Sequence, residues 1–154
     1  MTPSANMSLK ERLTEDMKDA MRAHDKARLA VLRMTIAAVK QREIDDRIDL
    51  DAAQTLAVVE KMIKQRQESA RLYRQGDRID LAETEENEVQ ILSAYLPEQM
   101  SDEEITALID ESIELAAATT MKDMGKVMGQ IKAKAQGRAD MTDISARVRT
   151  RLAG

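Results

Sequence analysis

Four bases and two glycines carry the chemistry legible in this chain. Lys122, Lys126, Lys132 and Arg138 stand in the stretch "MKDMGKVMGQIKAKAQGRAD" from Met121 to Asp140, with Gly125 and Gly129 among them. Ammonium and guanidinium groups hold phosphate by charge, and glycine lets another backbone come close. Wound at about 100° per residue, Met124, Val127, Met128 and Ile131 fall within an arc of roughly 100°, which must be the buried face. Both glycines fall opposite, with Ala133. Lys122 and Lys126 share that outer sector and Lys132 flanks it. Two interior glycines together cost about 2 kcal/mol of helix stability relative to alanine. On an outer face that loss returns nothing to the core. The spacing therefore predicts a bare strip rimmed by lysines and open to a sugar-phosphate backbone. The competing occupant is the chain's own acidic helix around Glu83 to Glu88.

Composition narrows the other chemistry. The 154 residues contain no Cys and one His, His24. Disulfides, thiolate nucleophiles and Cys-based zinc sites are thereby excluded. A Ser-His-Asp relay or a pair of metal-binding histidines has almost nothing to draw on. His24 reads as an exposed histidine at a helix end. "MGKVMG" lacks the spacing of a phosphate loop and sits inside a helix. The carboxylates Glu83, Glu85, Glu86 and Glu88 lack the Glu-x-x-His companions of di-iron bundles. No catalytic residue, metal or cofactor is expected. Tyr73 and Tyr95 are the only aromatics. A base-stacking platform is therefore missing, and nucleic-acid binding would be to backbone and shape.

The net charge of −4 conceals strong segregation. Asp77 to Glu114 carries thirteen acids and one base, Arg78. From Met121 onward eight bases face three acids, Asp123, Asp140 and Asp143. Such asymmetry suits nucleic-acid contact at the basic end, or two surfaces that face each other. No apolar run approaches the roughly 20 residues needed to cross a bilayer. "MTPSANM" is short and polar for a signal peptide. A soluble cytoplasmic protein is expected.

These residues must be positioned by helices, since no strand pattern competes. Ser8 with Glu11 is a capping box opening a stripe of Leu9, Leu13, Met17 and Met21. Asp25 caps a second helix ending near Glu43. Asp49 is read as the cap of a third, which runs to Gly76 with a solvated charged face of Lys61, Lys64, Arg66, Arg71 and Arg74. A fourth helix carries Leu81, Val89, Leu92 and Leu96 and ends at Pro97. Ser101 with Glu104 opens a fifth. Gly137 breaks the glycine-bearing helix, and Asp140 caps the last, with Met141, Ile144, Val148 and Leu152 as its stripe. The expected fold is all-α. A loose arm occupies 1–7, an antiparallel helical bundle 8–96, a linker 97–100 and a small three-helix domain 101–154.

"VLRMTIAAVKQREI", "YLPEQMSDEEI" and the Met121–Asp140 stretch together resemble the YqeY family, over about Leu9 to Leu152. The family is similar to the C-terminal tail of GatB, a subunit of the glutamine-dependent aminoacyl-tRNA amidotransferase. The resemblance implies a bundle followed by a three-helix tail, and a tail that serves tRNA recognition. The positions that match the family are Lys122, Asp123, Met124, Gly125, Val127, Met128, Gly129, Gly137, Arg138 and Asp140. The family commonly has glycine after Asp140; here it is Met141. The resulting expectation is a non-catalytic tRNA-binding module using Lys122, Gly125, Lys126, Gly129, Lys132 and Arg138. Its partners would be tRNA and an amidotransferase or other translation protein. The alternatives are a protein-interaction module and a carbon–nitrogen ligase with glutamine as amido-N-donor.

Overall fold

The computed structural model describes residues 7 to 153. The arm expected over 1–7 lies outside them, apart from Met7. Among the described residues there are seven α-helices, a single 3₁₀ turn and no strand. The helices are α1 (Leu9–Arg22), α2 (Lys26–Asp46), α3 (Ala52–Gln75), α4 (Ile79–Ser93), α5 (Asp102–Leu115), α6 (Met124–Ala135) and α7 (Met141–Ala153). The chain divides into two compact units, one up to Leu96 and one from Pro97.

In the first unit α1 packs along α2 and α3 along α4, each pair joined by a short turn. Leu13, Leu32, Val59 and Leu92 are essentially without exposed surface at its centre. Ser8 and Asp25 cap their helices, accepting from the N–H of Glu11 and Arg28, but Glu11 makes no return bond to the Ser8 N–H, so the expected box is half-formed. The third cap is Asp51, not Asp49. Asp51 accepts from the Gln54 N–H at 2.8 Å and Gln54 returns a bond to the Asp51 N–H at 3.0 Å. Three residues after Asp49 stands Ala52, which can make no such return. Leu50 is also needed outside the helix: it is buried, and its N–H donates to the Glu43 carboxylate, which Lys10 pairs at 2.8 Å.

Helix α2 runs three residues past Glu43. Its end is set by Arg47, whose left-handed backbone (φ 56°) turns the chain, and by the Arg42–Asp46 pair across the last turn. After α3, the left-handed residue is Asp77 (φ 59°), one beyond Gly76. Helix α4 stops at Ser93, short of Pro97, because proline restricts the residue before it and its ring would meet the carbonyl four residues back. Arg66 departs from the expected solvated face of α3. It is buried because α4 covers that side, and its Nε donates to Glu88 at 2.8 Å.

In the second unit α5, α6 and α7 enclose Val127, Ile131, Ile144 and Val148, none with exposed surface. Ser101 and Glu104 form the reciprocal capping box expected of them, at 3.1 and 3.3 Å.

Candidate nucleic-acid interface

Helix α6 buries the expected face. Val127, Ile131 and Ala135 have no exposed surface, and Met124 and Met128 are half-buried beside them. Gly125, Lys126, Gly129, Gln130, Lys132 and Ala133 are exposed. A Cβ built on Gly125 or Gly129 would meet nothing within 4 Å, apart from the helix's own nearby backbone. The two glycines therefore answer no packing demand within the described residues of the second unit. Both lie in regular helix, where alanine is the better residue.

The helix starts later than the periodicity suggests. Met121–Asp123 is a 3₁₀ turn, so Lys122 precedes α6 instead of lying on its ladder. Asp123 makes that turn: its carboxylate accepts from the N–H groups of Thr119 and Thr120 at 3.0 and 3.3 Å. Those bonds, with the nearby Lys126 ammonium, hold its pKa below the usual carboxylate value. An ionised acid thus sits at the α6 N-terminus, where it suits the helix dipole. Sequence reasoning missed this role, although an acid three residues after a threonine was the available signal.

Half of the bases that follow Met121 meet acids within this unit. Lys134 pairs with Glu111 at 3.5 Å, and Arg138 stands 3.7 Å from Glu104. Arg147 pairs with Asp102 at 2.9 Å, and Arg151 with Asp110. Acids of α5 thus neutralise four of the eight bases that follow Met121. Lys122, Lys126, Lys132 and Arg149 make no ion pair among the described residues. Three of these four are the lysines around the glycine strip. In the first unit Arg74 and Arg66 pair with Glu86 and Glu88, so the acidic helix has its own cations.

Arg138 is set apart from the lysines. It lies in the turn after α6, and its Nε donates to the Glu98 carbonyl at 2.9 Å. The Met100 N–H donates to the Arg138 carbonyl at 2.8 Å, and Gln99 donates to the Gly137 carbonyl at 2.9 Å. Gly137 is buried with φ 78°, a conformation L side chains avoid. Asp140 then accepts from the Thr142 N–H at 2.9 Å and opens α7. The run Gly137 to Asp140 is therefore a built turn, stitched to the segment Glu98 to Met100.

Beyond this geometry, no helix among the described residues is long and apolar enough to cross a membrane. Two comparisons with known proteins agree. The chain is similar to "Altered inheritance of mitochondria protein 41, mitochondrial" of Lachancea thermotolerans, at 30% identity over 88% of this chain and 76% of that one. It is 33% identical to the protein of the same name from Clavispora lusitaniae, over 77% of this chain and 71% of the relative. The Kluyveromyces lactis protein of that name is 32% identical, and the alignment covers 77% of this chain and 66% of its length. These names describe mitochondrial proteins and no reaction. The family model for YqeY-like proteins matches residues 10–152, and the chain belongs to that family.

Proposed function

We propose that the chain is an accessory module, without chemistry of its own, that binds tRNA through the outer face of α6. One observation carries this reading. The lysines that form no ion pair in the second unit gather around two glycines that no neighbour in that unit requires. Lys122, Lys126 and Lys132 supply charge to phosphates, and Gly125 and Gly129 admit the sugar-phosphate backbone. Arg138 acts mainly by holding the turn that ends the strip, with its remaining N–H groups available to a phosphate at the edge. The choice of tRNA among nucleic acids comes from the likeness to the GatB tail. An amidotransferase or another translation protein would present that tRNA. The cytoplasm, or the mitochondrion as in the named relatives, supplies such a ligand equally.

The test is tRNA binding by purified protein across a salt series, wild type against Lys126→Glu. Affinity should fall with salt at a log–log slope of about −0.7 to −0.9 per phosphate contact. Charge reversal should weaken binding to all tRNAs alike and make that slope shallower. Affinity indifferent to Lys126→Glu would remove the site.

A further inference from the structure

The outer face of α2 carries a second, separate pattern. Ala30, Arg33, Ala37, Lys40 and Ile44 follow one another at steps of three, four, three and four residues, and Arg47 comes next as the left-handed residue that ends the helix. All six are exposed. That alternation is the 3.5-residue seam by which one helix receives another. From Ala30 to Ile44 it runs about 21 Å at 1.5 Å per residue. Ala30, Ala37 and Ile44 form one column, small at two positions and apolar at the third. Arg33 and Lys40 form the other, with Arg47 just past the helix end, and none of the three makes an ion pair among the described residues.

We infer that this face is a docking seam for an acidic amphipathic helix of a partner protein. Charge selects the occupant. Between Lys26 and Lys40 the helix contains no acid. Of the acids near its C-terminal end, Glu43 is engaged by Lys10 and the Leu50 N–H, Asp46 by Arg42, and Asp45 as acceptor from Gln41, while Asp49 lies exposed beyond the helix. A second copy presenting the same face would set arginine against arginine and is repelled. The apolar content argues against a phosphate backbone. Ile44 is 69% exposed, Ile48 is 41% exposed, and Met34 beside the seam is 51% exposed. Covering these side chains gains free energy only against another apolar surface. At the C-terminal end Ile44 and Ile48 line an open depression of about 450 Å³ with two cations, Lys40 and Arg47, and two acids, Glu43 and Asp49, so it seats an apolar side chain of the partner and its carboxylates belong nearer Arg33. The stems of Arg33 and Lys40 can pack along such a helix while their heads meet its carboxylates.

A defined probe tests this on the full chain. It is a synthetic helical peptide of about 24 residues, three heptads and a cap, with Leu and Glu alternating at three- and four-residue steps. The control has the same composition with the period broken. Fluorescence anisotropy should register binding of the periodic peptide and at least about 10-fold weaker binding of the control. Arg33→Glu/Lys40→Glu should abolish binding of the Glu peptide and restore it for a Lys-substituted version, which charge complementarity requires. Ile44→Ser should weaken the Glu peptide with all charges intact. Equal binding of periodic and broken peptides would overturn the inference. So would a wild-type chain that ignores both peptides, binds duplex RNA instead and loses that RNA on Arg33→Glu/Lys40→Glu.

Discussion

Tyr95, in the last turn before the chain leaves the first unit, donates its hydroxyl to Asp16 of α1 at 2.5 Å. Arg12 lies over the Tyr95 ring, 4.6 Å from its centre, and also donates to the Ala94 carbonyl. Arg28 of α2 reaches the same Asp16 oxygen at 3.7 Å. One buried phenol thus joins the end of α4 to α1 and, through Asp16, to α2. Tyr95→Phe should lower unfolding free energy by about 1.5–3 kcal/mol, the range for a hydrogen bond to a charged group. Urea denaturation of the two proteins reads the difference.

The same phenol makes a pH prediction. Burial, followed by the bond to Asp16, raises the Tyr95 pKa above its ordinary value near 10. The folded state therefore keeps a proton that the unfolded state releases. That contribution is fully present below pH about 10 and is lost progressively as pH rises from there. Stability measured from pH 8 to 11 should fall in the wild type and fall less steeply in Tyr95→Phe. Equal slopes would detach the alkaline loss from this residue.

The glycines of α6 should separate stability from binding. Gly125→Ala and Gly129→Ala each place a methyl in open space, so each should stabilise the fold by up to about 1 kcal/mol. Both should weaken tRNA binding, because the methyl occupies the approach of the backbone. Thermal melts and tRNA titrations of the same preparations give the two readouts. A variant that gains stability with unaltered affinity would leave the strip without a ligand.

Gly137 should behave in the opposite way. Its backbone is left-handed and its position buried, so Gly137→Ala should cost about 1–2 kcal/mol. Hydrogen exchange should quicken at the Met100 N–H, which bonds to the Arg138 carbonyl.

Arg66 tests the buried pair of the first unit. Its side chain is 9% exposed and that of Glu88 24%, so water partly reaches the acid. Arg66→Met should cost about 2 kcal/mol, somewhat less than breaking a fully buried pair. Arg66→Met/Glu88→Leu should recover much of that loss. A double-mutant cycle by urea denaturation measures both.

Fold class was readable because the stripes are local. Leu13, Leu92 and Ile144 are buried as their helical spacing demands, and Ser8, Asp25 and Ser101 cap their helices because the bonds span only three residues. Asp49 was misread because two acids near one helix start look alike until the return bond from Gln54 picks Asp51. The glycine face of α6 was equally legible, being a matter of angle around a single helix. Lys122 slipped off that face because a 3₁₀ turn interrupts the periodicity, and Asp123 makes that turn through two backbone N–H groups.

By itself the order of residues determined that the chain is helical, which faces its helices bury, and that bare glycines and lysines share one side of α6. Tertiary structure alone decided which charges remain to be met. Arg147 and Asp102 are 45 residues apart and Arg66 and Glu88 are 22, yet each pair closes to within 3 Å. Charge in a sequence is only a count along a line. Neutralisation depends on distance through space, falling steeply beyond a few ångströms in water, and folding alone sets those distances.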